Sequence, residues 1–136
     1  MQTHSWAMMP VTAWVSLAIG IMGCNVLIIN NYRDRKDDLS VGKKTLAVRW
    51  GASAMRTLYL ANGFIALFFI EIATALRIDA AWQLGDLLYA NLHYLAWRQM
   101  CTSEGRALNA VLGKTATLML GAALWLAAAL ACNAPS

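Results

Sequence analysis

Two long stretches without a side chain ionised at neutral pH bracket the chain, Met1 to Tyr32 and Thr115 to Ser136. A bilayer core is crossed by about 20 predominantly apolar residues in helical form, so each stretch is long enough to span. Apolar runs resume between them, and the pattern predicts four helices: A from Val11 to Asn31, B from Ser53 to Leu76, C from Ala80 to Trp97 and D from Asn109 to Ala131. Pro10 suits the first turn of helix A, where its missing N–H would have no partner. The segment Arg77 to Ala80 is short enough to force a tight turn, making B and C a hairpin. Helix C carries Asp86, Asn91 and His93 where hydrocarbon is expected. A mid-span carboxylate costs about 2.5–3.5 kcal/mol unless it faces protein or water, so helix C is expected to turn these groups inward. Trp82, Tyr89, Tyr94 and Trp97 sit near its ends, as interfacial aromatics do. Helix D is rich in Ala and Gly, which permit close approach of helices in lipid.

Composition agrees with this pattern. The chain is 60% hydrophobic and 13% charged, against about 25% charged in a soluble domain. The expected fold class is therefore an all-α, multi-spanning transmembrane helix bundle of about four helices, read as one domain over 1–136. Cys24, Cys101 and Cys132 lack CxxC spacing, so neither a disulfide framework nor a structural zinc site is expected. The opening MQTHSWAMMP has no basic region ahead of its apolar stretch and is not read as a cleaved signal.

The net charge of +4 changes meaning once its placement is considered. Arg33, Arg35, Lys36, Lys43, Lys44, Arg49 and Arg56 lie in or beside the A–B connection, and Arg98, Arg106 and Lys114 in or beside the C–D connection. Seven plus three leaves only Arg77 of the eleven basic residues on the other side. The positive-inside rule then puts both connections in the cytoplasm, and membrane lipid rather than nucleic acid is the expected partner.

The chemistry is concentrated in NNYRDRKDDLSVGKKTLAVRWG, Asn30 to Gly51. If helix A continues beyond the membrane, Asn30, Asp34 and Asp38 fall at i, i+4 and i+8 and form one stripe, with Asp37 beside it. Stacked like charges ask for a cation. Mg2+ prefers carboxylate oxygen and is commonly held by one or two carboxylates plus the phosphates of a substrate. Arg35, Lys36, Lys43 and Lys44 offer positive charge to a diphosphate. A ligand with a charged head and an apolar tail, such as a polyprenyl diphosphate, suits this junction. The same mixed charge also serves topology or binds anionic lipid heads.

This segment resembles the second aspartate-rich motif of the UbiA superfamily of intramembrane prenyltransferases, most closely the branch acting on 1,4-dihydroxy-2-naphthoate. Against the family's NDxxDxxxD, Asn30 fills the Asn position and Asp34 and Asp38 the later Asp positions, while Asn31 replaces the first Asp. Lys44 takes the basic position after Gly42. QTHS near the start and EGRALNAVLGKTA, Glu104 to Ala116, extend the likeness over essentially the whole chain.

The resemblance implies Mg2+ held by Asp34 and Asp38 with help from Asn30, and a diphosphate neutralised by Lys44, with Arg35 and Lys43 in support. It implies transfer of a polyprenyl group from its diphosphate to 1,4-dihydroxy-2-naphthoate, with loss of the ring carboxyl, in menaquinone biosynthesis at the bacterial plasma membrane. Family members have about nine transmembrane helices and an aspartate-rich motif in each half. This chain corresponds to the C-terminal half, so activity is expected only together with a separate N-terminal half, as a split enzyme or a fragment. The alternative is a non-catalytic or remnant membrane protein that binds lipid diphosphate or a partner helix bundle. A small transporter subunit would rest on Asp86 and Glu71 alone.

Overall fold

The structure, a computed structural model, describes residues 3–74 and 83–133. Among the described residues there are four α-helices and no strand: α1 Thr3–Ser40, α2 Leu46–Thr74, α3 Gln83–Thr102 and α4 Leu108–Cys132, with a 3-10 turn at Gly105–Ala107 leading into α4. The all-α bundle expected from the apolar pattern is present. Among the described residues, three segments are long and apolar enough to cross a membrane, Pro10–Ser40, Leu46–Thr74 and Gly105–Cys132. The expected B–C turn and the start of helix C fall outside the described residues.

Three differences from the sequence reading have physical causes. Pro10 lies inside α1 rather than at its start; a proline within a membrane helix is tolerated because neighbouring groups can take up the carbonyl it leaves free. At its other end α1 continues to Ser40, about two and a half turns beyond the expected boundary at Asn31. The third is α3, whose Asp86, Asn91, His93 and Arg98 keep it out of the set of apolar spans. Its polar groups do not all turn inward. Asp86 and His93 are seven residues apart and share a face, whereas Asn91 lies roughly opposite them and is exposed.

The end of α1 is set by Gly42, which adopts a left-handed conformation, φ 75°. The Gly42 N–H donates to the Leu39 carbonyl at 3.2 Å and the Lys43 N–H to the Asp38 carbonyl at 2.9 Å. This is a Schellman closure, in which glycine at the first position past the helix turns the chain back on its last turn. A second left-handed glycine, Gly51 at φ 81°, interrupts α2 after one turn, so the continuous helix begins close to the expected Ser53.

α1 packs chiefly along α2, with α4 against α1 and α3, and α3 against α2. The buried side chains form two layers. One lies beneath the basic end and includes Ile29, Tyr32, Met55, Tyr59, Met100, Leu108 and Val111. The other, deeper layer contains Ala18, Met22, Ala66, Ile70, Tyr89 and Leu126. His93 joins the layers, its ring stacked on Tyr59 at 4.9 Å and on Tyr89 at 5.8 Å. It also approaches the Leu60 carbonyl with Nε2 at 3.3 Å. Gly63 makes room for the ring, since a Cβ there would overlap the imidazole. Leu27, Phe68, Leu88 and Leu124 are among the large apolar side chains facing outward, as lipid-facing positions do.

Candidate functional site: the acidic stripe at the end of the first helix

Because α1 runs unbroken to Ser40, Asn30, Asp34 and Asp38 occupy successive turns of one helix. Asn30 and Asp34 converge on one cationic group, the Arg33 guanidinium. Arg33 Nε donates to Asp34 Oδ1 at 2.6 Å, and its Nη2 donates to Asp34 Oδ2 at 2.9 Å and to Asn30 Oδ1 at 2.8 Å. Its Nη1 donates to Asn109 Oδ1, on the first turn of α4, at 2.9 Å. One amide oxygen and one carboxylate therefore already bind a cation jointly.

Asp38 points elsewhere. It is 7% exposed and accepts from Lys43 Nζ at 3.0 Å, a contact delivered by the glycine turn that folds Lys43 back over the helix end. Lys44 is exposed and makes no ion pair among the described residues. Arg35 curls back onto its own helix. Its guanidinium lies 4.2 Å from the centre of the buried Tyr32 ring, and its Nη1 donates to the Tyr32 carbonyl at 2.7 Å.

Tyr32 ties this end of the bundle together. Arg56 Nε, from α2, donates to its hydroxyl at 2.9 Å, and Trp97 Nε1, from α3, donates to the Arg56 carbonyl at 3.1 Å. Glu104 closes the cluster from the α3–α4 connection, pairing with Lys36 at 2.8 Å and Arg35 at 3.5 Å. The Lys36 hydrogen bond, aided by the charge of Lys36 and Arg35, holds the Glu104 carboxyl below its ordinary range.

Two buried side-chain oxygens have no hydrogen-bond partner among the described residues, Asn25 Oδ1 in α1 and Thr45 Oγ1 just before α2. An unpaired buried polar group costs about 1–3 kcal/mol. Thr45 follows Lys44 in the G-K-K-T stretch, so its hydroxyl stands at the basic end of the bundle.

No group of three or more His, Cys, Asp or Glu side chains is assembled as a metal cage among the described residues. The donors nevertheless fit Mg2+ in its usual partial mode, because Asn30 and Asp34 offer hard oxygens already gathered on a cation.

Farther into the membrane, α3, α4 and Ile70 of α2 form a mainly apolar hollow of about 410 Å3, open on one side, lined by Tyr89, Leu118 and Trp125, with the outward Leu88 at its rim and Asp86 at its wall. His93 belongs to the packing between helices described above.

Over 123 residues, or 87% of its length, the chain is 37% identical to the 1,4-dihydroxy-2-naphthoate octaprenyltransferase of Mycobacterium tuberculosis. The resemblance to a naphthoate prenyltransferase is thereby shown. The chain spans 41% of that relative's length. No family model matches the sequence, and no solved structure matches it. The three apolar helices, with a relative that is a membrane enzyme, make this a membrane protein.

Asn30, Asp34, Asp38, Arg35, Lys43 and Lys44 stand out in the sequence, whereas Arg33 reads there as one topogenic charge among several. Its adjacency to Asp34 was the visible signal. Asn109 and Tyr32 gave none, since their part depends on how α4 and α2 dock.

Proposed function

We propose that this chain provides the second acidic site of an intramembrane prenyltransferase that moves a polyprenyl group from its diphosphate to 1,4-dihydroxy-2-naphthoate, working with a segment that carries the first acidic motif. The observation that carries the reading is the convergence of Asn30 and Asp34 oxygens on a single cation at the basic end of an apolar bundle. The naphthoate relative supports the acceptor.

The geometry suits an amphiphilic donor. Along α4, Thr117 and Leu126 of the cavity lie roughly 12 and 26 Å from Asn109, at a rise of about 1.5 Å per residue, and Asn109 touches Arg33. A diphosphate at the acidic stripe would thus have its hydrocarbon tail directed toward an apolar hollow. Asn30 and Asp34 would hold Mg2+ with phosphate oxygens, Asp38 standing one turn on. Lys44 would meet the diphosphate, joined by Lys43 and Arg35 once these leave Asp38 and Tyr32.

Mg2+, when bound, draws charge from the leaving diphosphate. The allylic C–O bond breaks with its electron pair leaving on the diphosphate. The ring carbon bearing the carboxylate then supplies the pair for the new C–C bond, and its bond to the carboxylate breaks, returning that pair to the ring as CO2 leaves. The residues of the chain bind, orient and neutralise, while the apolar bundle keeps water from the carbocation. The basic connections face the cytoplasm of a bacterial plasma membrane in this reading.

The test is co-expression with a polypeptide carrying the first acidic motif, followed by a membrane assay with labelled polyprenyl diphosphate and 1,4-dihydroxy-2-naphthoate. Mg2+-dependent transfer is expected, abolished by Asp34→Ala and by Asp38→Ala. Undiminished transfer in both variants overturns the assignment.

A further inference from the structure

The Arg33 fork engages every side-chain oxygen that Asn30 and Asp34 could offer a metal. Neighbouring residues on a helix point about 100° apart, so Arg33 reaches Asp34 only by bending along the helix surface. Asn109 Oδ1, across the α1–α4 contact, holds the far side of the fork at 2.9 Å. The pair is not sealed in. Arg33 and Asp34 side chains are 25% and 36% exposed, open to exchange with solvent ions.

An ion pair of that exposure is held weakly. A divalent ion brings twice the charge to the same oxygens, and its approach sets it against a guanidinium already in place. Each oxygen keeps a further lone pair, so what opposes the two cations on these donors is their mutual repulsion at close range.

We propose that Arg33 is a resident counter-ion that regulates the acidic site: it holds Asn30 and Asp34 until a divalent cation displaces it, and Asn109 sets how readily it leaves. This rests on the reading of Asn30 and Asp34 as metal ligands. Displacement turns a planar, permanently charged fork loose beside the metal, where phosphate oxygens are its natural partner. Arg33 is thereby a positioning residue in the metal-free state and an anion-binding group in the loaded one.

The experiment uses the full chain in detergent micelles and follows Mn2+ binding by the loss of the free-ion electron paramagnetic resonance signal, with helix content checked by circular dichroism. Arg33→Gln removes the competitor and is expected to tighten Mn2+ binding about fivefold, the scale of one partly exposed ion pair. Asn109→Ala, which frees the fork without touching a ligand, is expected to move in the same direction by a smaller factor and serves should Arg33→Gln lose helix content. Asp34→Asn is expected to weaken binding in each background. If wild type binds Mn2+ through Asp34 but neither Arg33→Gln nor Asn109→Ala tightens it, the counter-ion role is overturned and the metal site stands. Should no protein bind Mn2+, or should Asp34→Asn make no difference, both are overturned.

Discussion

Tyr59 and Thr115 lock α2 to α4 one layer beneath the acidic stripe, and the direction of their hydrogen bond makes two similar substitutions unequal. Thr115 Oγ1 donates its proton to the Val111 carbonyl at 2.8 Å. The Tyr59 hydroxyl must therefore be the donor in the 2.7 Å contact between the two. Both side chains are buried, Tyr59 fully and Thr115 to 5% exposure. In Tyr59→Phe the threonine keeps its bond to Val111 and nothing is stranded, so the loss is about 0.6 kcal/mol, typical of a hydrogen bond between membrane helices. In Thr115→Val the phenolic O–H is left in an apolar layer without its acceptor, at a cost of about 1–3 kcal/mol. Replacing both removes donor and acceptor together, which is close to neutral when shape is conserved. The double variant should thus be more stable than Thr115→Val alone. Unfolding of the chain in bicelles by sodium dodecyl sulfate, read by tryptophan fluorescence as a double-mutant cycle, measures all four species. A Tyr59→Phe cost equal to or above that of Thr115→Val, or a double variant showing the plain sum, would refute the bond direction and the packing argument with it.

The ion cluster at Glu104 makes a pH prediction of defined sign. Its folded carboxyl is held below its ordinary range, first by the Lys36 hydrogen bond, so its contribution is full above the ordinary value and is lost as pH falls through the lowered one. The α3–α4 connection should become more protease-sensitive below roughly pH 4, and Glu104→Gln should show the same sensitivity at neutral pH; a variant as resistant as wild type counts against the cluster. Topology can be checked with native thiols. Cys101, at the end of α3, and Cys132, at the end of α4, are free and lie at opposite ends of the bundle. In intact cells a membrane-impermeant maleimide should label Cys132 and reach Cys101 only after lysis, and the reverse pattern would invert the proposed orientation.

The membrane class and helix order were legible because they follow from composition: a charge-free run of more than 20 residues has few other uses. The end of α1 was partly legible as well. Gly42 after a polar turn is a strong stop signal, and the expected break at Asn31 is early because the change from apolar to charged residues marks the edge of the membrane and not the end of the helix. What ends there is the hydrophobic stretch; the helix itself continues until the glycine closes it. The outward Asn91 was missed for a related reason. Intramembrane polar groups generally face protein, but Asn91 cannot share a face with Asp86 and His93.

The acidic stripe shows where sequence reasoning stops at a defined physical step. Spacing of four along a helix placed Asn30, Asp34 and Asp38 on one line, and that line exists. Spacing does not say which cation each member holds, because that is settled by side chains whose reach depends on tertiary docking. Asp38 receives Lys43 through a local turn that Gly42 could have foretold. Asp34 and Asn30 receive Arg33 in a pose fixed by Asn109, 76 residues away in sequence. A residue one place along a helix is ordinarily discounted as a partner, since consecutive side chains diverge; here a contact from another helix reverses that default. The same contact makes the stripe a competed site, so its affinity for a divalent ion depends on the α1–α4 interface as well as on its own carboxylates. Any change that shifts α4 against α1 therefore reaches the proposed chemistry through Asn109 and Arg33, even when Asn30, Asp34 and Asp38 are untouched.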